Sequence, residues 1–220
     1  VALVYRGPAS LPGCPEAVAA LLANPALSFD VHYVGPKEEL KLTPATLSMA
    51  AIYAQPGGGE LKRAYRRLRK QSPLIQEYVR SGGRYLGFCL GGYLAGATPG
   101  FKLLPGDADQ HISSHASTVR TGRDTTVSVT WRGHPRTLYF QDGPYFILDE
   151  NAQNADVLAT YPNGTVAALV APFGRGAVGV AGPHPEATAE WYQVEGLTNP
   201  DGIRADLGVD LVHTLMRCAG

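Results

Sequence analysis

Three short stretches hold residue types that could carry out acyl chemistry together. In Gly87-Phe88-Cys89-Leu90-Gly91-Gly92 a thiol stands among small residues. A nucleophile on a sharp turn from strand to helix is held in strained φ/ψ, and flanking glycines make room for that turn. There the unpaired N–H groups of the first helical turn and the positive end of the dipole favour a thiolate. In Gln55-Pro56-Gly57-Gly58-Gly59 a glycine run offers backbone amides that can approach a ligand closely, as an oxyanion hole requires. In His184-Pro185-Glu186 an imidazole can serve as base for Cys89, and a carboxylate can hold it in one tautomer. The pattern assigns Cys89, His184 and Glu186 as a catalytic triad. The N–H groups of Gly58 and Leu90 become oxyanion donors, and Gly57 and Gly59 face a substrate. For Cys89 taken alone the alternative is a buried structural thiol, since free Cys is among the most buried residue types.

Each of these stretches needs a strand behind it, and the sequence supplies one. Ala50 to Ala54 is a short apolar run ending at the glycine loop, Arg84 to Phe88 leads into Cys89, and Ala177 to Ala181 leads towards His184. Val1 to Tyr5 and Phe29 to Val34 are further strands, separated by a helix from Pro15 to Leu22 with Pro in its first turn. Thr43 to Leu47 forms a short capped helix, and helices follow over Glu60 to Lys70 and Pro73 to Arg80, the latter stopped by Ser81-Gly82-Gly83. Thr125 to Trp131 and Arg136 to Phe140 alternate as a hairpin around Arg132 to Pro135, with His134 as a turn residue. Val157 to Tyr161 and Val166 to Ala171 are strands joined at Asn163-Gly164. A short helix over Glu186 to Tyr192 and a closing amphipathic helix within Gly202 to Arg217 complete the chain. The segment from Gly106 to His115 reads as a polar turn that fits no metal-ligand spacing. Asp142-Gly143-Pro144 reads as a turn, with Asp142 lining the site as the alternative.

The order of a Pro-Gly-Gly loop, a Gly-x-Cys-x-Gly elbow and His-Pro-Glu resembles the class I glutamine amidotransferase superfamily. The wording Gln55-Pro56-Gly57-Gly58-Gly59, Gly87 to Gly96 and Gly182 to Ala187 is most similar to its biotin-protein ligase N-terminal-domain-like branch. The resemblance runs from the first strand to His-Pro-Glu. It implies a doubly wound, mostly parallel α/β sheet of flavodoxin-like type with a β-hairpin excursion, built as one domain over residues 1–220. It also implies a cysteine-dependent hydrolase of an amide, peptide or γ-glutamyl-like bond, acting on a small molecule or peptide without a cofactor. Glutaminase domains of the superfamily carry a polar Gln in the elbow helix near the position of Tyr93, so free glutamine is expected to be a poor substrate. The alternative is a non-catalytic binding or regulatory module that keeps the fold.

Composition narrows the choice of partner. The 220 residues carry no net charge and only 17% charged residues, so nothing global points to nucleic acid, and no apolar run is long enough for a membrane-spanning helix. Lys62, Arg63, Arg66, Arg67, Arg69 and Lys70 fall in one helix, which reads as a solvated outer face. No spacing suggests a metal site, and the oligomeric state is not legible. Two clues suggest an oxidising compartment. The chain starts at Val1, as if a leader or tag had been removed, and Asn163-Gly164-Thr165 is a glycosylation sequon. The expectation drawn from them is a secreted protein with a Cys14–Cys218 disulfide that leaves Cys89 as the one free thiol; a cytoplasmic protein is the alternative.

Overall fold

A computed structural model describes residues 1–152, 154–203 and 205–218. In chain order the elements begin with β1 (Ala2–Tyr5), α1 (Cys14–Leu22), β2 (Val31–Val34), α2 (Pro44–Ser48) and β3 (Ile52–Gln55). They continue with α3 (Leu61–Leu68), α4 (Ser72–Arg80), β4 (Arg84–Phe88), α5 (Leu90–Ala95), β5 (Gly106–Gln110) and a 3₁₀ turn at His111–Ser113. Then come β6 (Thr125–Trp131), β7 (His134–Phe140), β8 (Pro144–Leu148), β9 (Asp156–Thr160), β10 (Val166–Phe173) and β11 (Gly176–Ala181). The helices α6 (Ala189–Val194) and α7 (Ala205–Arg217) close the chain. The last helix was expected within Gly202 to Arg217, of which Arg204 lies outside the described residues.

The strands order as β2-β1-β3-β4-β11-β10-β9-β6-β7, with β8 branching onto β10 and pairing β5. From β2 to β11 every pairing is parallel. The chain goes outward from β1 to β2 and then returns to the far side of β1, so a crevice opens at the carboxyl ends where the order reverses. Beyond β11 every pairing is antiparallel, and the expected hairpin excursion is one part of this larger region. Side chains of the central strands alternate between two apolar layers. Ala2, Val4, Ile52, Leu86 and Phe88 meet α1 and α7 on one face. Leu3, Tyr5, Tyr53, Tyr85 and Val178 meet α2 to α5 on the other. Burial on both faces explains why these strands are short apolar runs without polar alternation.

Three expectations are corrected. Gly106 to Gln110 is the strand β5, since its backbone pairs with β8 from Gly106↔Leu148 to Gln110↔Pro144. His134 begins β7 rather than sitting in a four-residue turn. The hairpin turns on Arg132 and Gly133 alone, whose φ of 49° and 81° fit the tight turn that the strand twist favours. Cys14 and Cys218 are not joined in a disulfide. Cys14 opens α1, just past the carboxyl end of β1. Cys218 follows α7, and its carbonyl accepts a bond of 3.0 Å from Arg84, at the start of β4. The two thiols therefore lie at opposite edges of the sheet, roughly 15 Å apart along strands of this length and well beyond disulfide reach.

Candidate active site

β4 delivers Cys89 to the carboxyl edge of the sheet. It is the residue between strand and α5, with φ 47° and ψ −104°, and its N–H bonds the Ala181 carbonyl of β11 at 2.9 Å. Two glycines make this turn possible. A Cβ on Gly87 would lie 2.5 Å from the Gly91 carbonyl oxygen, and one on Gly91 would lie 1.9 Å from that of Gln55. The backbone thus closes over itself where side chains would keep it apart. Cys89 is 7% exposed, and its thiol donates to the Gln141 carbonyl at 3.4 Å.

β11 is the parallel neighbour of β4, with Ala181 opposite Phe88, so its continuation reaches the same level. His184 lies there at 3% exposure, and its Nδ1 meets Glu186 Oε1 at 2.8 Å, which leaves Nε2 for the sulfur. Its N–H bonds the Tyr139 carbonyl at 2.9 Å. The rings of Tyr139 and Trp191 stand edge-on to the imidazole, 6.0 and 5.3 Å away between centroids. Burial works against a charged imidazole here, but the Glu186 carboxylate and the Cys89 sulfur outweigh it and raise the His184 pKa to about 10. Glu186 Oε2 is buried without a hydrogen-bond partner.

The glycine loop after β3 completes the arrangement. A Cβ on Gly57 would lie 2.7 Å from His184 Cε1 and 3.4 Å from Cys89 Cβ, so this residue packs directly on the pair. Gly58 and Gly59, at φ 85° and 101°, line a cleft of about 550 Å³ together with Cys89, Leu90 and Tyr93. As the first residue of α5, Leu90 has an N–H with no acceptor inside the helix.

Several contributors were not legible in the sequence. Leu11 lines the cleft, and its N–H reaches the Gly57 carbonyl at 3.4 Å. Asp109, Gln110, Gln141 and Asp142 line it as well. At Asp142 the chain bends as expected from Asp-Gly-Pro, at φ 49°, and the residue also lines the cleft, so the two readings are compatible. Cys14 lies within the electrostatic reach of the site; burial, with Glu186 and Cys89 nearby, pushes its thiol up to about 12. Among the described residues no group of three His, Cys, Asp or Glu side chains could hold a metal ion, and no helix is long and apolar enough to cross a membrane.

A parallel α/β core with a Cys at the strand–helix elbow and a His-Glu pair just past the neighbouring strand defines the glutamine amidotransferase-like class. Solved structures agree on the fold. A glutamine amidotransferase superimposes with a TM-score of 0.62 at 16% identity, covering 90% of this chain and 100% of that one. A glutamine amidotransferase from Thermotoga maritima gives 0.62 at 15% identity, covering 99% and 98%. Within this class, residues 1–115 match the family described as biotin-protein ligase, N terminal, and the chain belongs to that family. The biotin–protein ligase of Schizosaccharomyces pombe is 25% identical over 177 residues, covering 64% of this chain and 26% of the ligase. The imidazole glycerol phosphate synthase subunit HisH of Lacticaseibacillus casei is 33% identical over 86 residues, covering 35% of this chain and 41% of that protein. The chain thus spans about a quarter of the yeast ligase and two fifths of the synthase subunit.

Proposed function

We propose that this domain is a cysteine-dependent hydrolase of an amide, peptide or γ-glutamyl-like bond. The observation that carries the reading is His184 bonded to Glu186 at 2.8 Å, with Cys89 and Glu186 together holding its pKa near 10. That favours a protonated imidazole beside the Cys89 sulfur at neutral pH. In this mechanism the Cys89 thiolate adds to the acyl carbon, and the carbonyl electron pair moves onto oxygen. The N–H groups of Gly58 and Leu90 receive that charge; losing one such donor typically costs ~10²–10³ in rate. As the tetrahedral species collapses, the C–N bond breaks and the amine leaves with the His184 Nε2 proton. Water then adds to the thioester with His184 as base, and the acid departs as the thiol is restored.

Cys89→Ala and His184→Ala are expected to abolish turnover, measured with a panel of amide and ester acyl donors alongside mass analysis for an acyl adduct on Cys89. Full activity in Cys89→Ala on a donor that the native chain turns over would overturn the reading. Absence of any adduct or turnover across the panel would favour the non-catalytic module. Free glutamine is expected to be a poor donor. The Tyr93 hydroxyl is tied to the Asp142 carbonyl at 3.0 Å, so this side chain does not supply the amide-like donor and acceptor pair that would grip a carboxamide. Efficient ammonia release from glutamine by the isolated chain would refute that specificity.

A further inference from the structure

The cleft in front of Cys89 has a charge pattern that the triad does not use. Its lining includes the carboxylates of Glu60, Asp109 and Asp142 and no Lys, Arg or His side chain. Glu60 is already engaged: its two oxygens accept from the Lys62 and Arg63 N–H groups at the start of α3, at 2.9 and 3.0 Å. The other two line the same cleft, Asp109 exposed and Asp142 half-buried. Asp142 Oδ1 and Oδ2 both accept from Gln110 Nε2, at 2.9 and 3.0 Å, and its backbone is fixed at φ 49° with its carbonyl held by Tyr93. Among the described residues, Asp109 accepts a hydrogen bond from the Gln110 N–H alone, at 2.7 Å. These partners are neutral amides. Among the described residues neither carboxylate takes part in an ion pair. Asp142 is half-buried, and that burial raises its carboxyl pKa, the state a cation placed beside it would relieve.

We propose that Asp109 and Asp142 select acyl donors that carry a positively charged group, an ammonium or a guanidinium, on the portion lying against Tyr93. The site itself is defined by Cys89 and the glycine loop, and the inference rests on Cys89 being the acyl-accepting nucleophile. Tyr93 links the two regions: Cys89, Asp142 and Asp109 all lie within its electrostatic reach, and its hydroxyl donates to the Asp142 backbone carbonyl. A cleft lined by one sign of charge, with low-dielectric walls, concentrates ligands of the opposite sign and repels its own. The carboxylates therefore act before chemistry, in KM and in association, while the acyl carbon meets the same thiolate whatever the donor's charge.

Two measurements test this. The first needs no turnover: Cys89 is labelled with cationic, neutral and anionic methanethiosulfonates of similar size, and the rates are read by peptide mass and normalised to a small free thiol. The thiolate attacks the sulfenyl sulfur, a disulfide forms and sulfinate leaves. The cationic reagent is expected to exceed the anionic one by about tenfold or more at low salt. The ratio should fall towards unity at about 1 M salt and in the double variant Asp109→Asn with Asp142→Asn, whose amide oxygens can still accept one hydrogen bond at each position. The second compares p-nitrophenyl esters of 6-aminohexanoate, hexanoate and adipate. The cationic ester is expected to have the highest kcat/KM, chiefly through KM, and to lose that advantage in the double variant. A normalised labelling ratio near unity, unchanged in the variant, overturns the proposal. Neutral and anionic esters that acylate Cys89 as fast as the cationic one overturn it too, and leave the hydrolase reading standing. If no ester acylates Cys89, it is the hydrolase reading that falls, and the labelling ratio alone then decides whether the cleft selects cations.

Discussion

At the residue scale the site depends on one buried charge arrangement. Burial alone would lower the His184 pKa; Glu186 and Cys89 bring it to about 10 instead. In the proposed mechanism His184 holds, below that value, the proton that the leaving amine takes, and above it the proton is lost. The basic limb of kcat/KM is therefore expected to fall near pH 10, rather than close to the ~6.5 of an unperturbed imidazole. Glu186→Gln removes the strongest influence that raises this pKa. The limb should then move to lower pH, and the loss in rate, on the order of 10²–10⁴, should be greater at about pH 9 than at about pH 6. A pH–rate profile of the variant with an unmoved basic limb would separate Glu186 from His184. The three motif residues were legible because each is a chemically distinctive side chain beside small residues or Pro. Gln141, Tyr139 and Trp191 were not. Gln141 acts through a backbone carbonyl that any residue would supply, and the two rings touch the imidazole only because β7 and α6 fold back over it.

At the element scale the β4–α5 elbow is the most constrained piece of backbone. A methyl group on Gly91 would stand 1.9 Å from the Gln55 carbonyl oxygen, on a neighbouring strand that cannot yield without breaking its pairing with β4. Gly91→Ala is expected to destabilise the fold by about 1–3 kcal/mol, read as a lower urea midpoint with unchanged slope, and to reduce Cys89 reactivity as the elbow shifts. A midpoint equal to that of the native chain would mean that α5 can slide away from β3 at no cost. The parallel strands were legible because burial on both faces writes them as apolar runs. β5 was not, since Gly106-Asp107-Ala108-Asp109-Gln110 has the composition of a turn. Its extended form comes from pairing with β8, a partner far along the chain, and no local signal reports such a pairing.

At the scale of the whole molecule the two edges of the sheet are chemically different. One edge carries Cys89, His184, the glycine loop and Cys14; the other holds Cys218 beside Arg84. Alkylation under denaturing conditions without reductant is expected to modify both Cys14 and Cys218, whereas recovery of a linked peptide would contradict the arrangement of α1 and α7. The sequon residue Asn163 has its amide nitrogen engaged with Ser114 Oγ at 3.0 Å and the His115 carbonyl at 2.9 Å, a tertiary use that its sequence neighbours do not announce. The pairing of β4 with β11 has a wider consequence. These strands lie side by side in register, yet the chain between them makes β5 to β10 and with them Asp109, Gln110, Gln141 and Asp142. On the reading proposed above, the groups that react and the cleft residues that would meet the substrate thus come from different stretches of the chain. A library confined to the side chains of residues 109, 110 and 142 would therefore vary the lining of the cleft while the backbone carbonyls of Tyr139 and Gln141 go on holding the His184 backbone and the Cys89 sulfur.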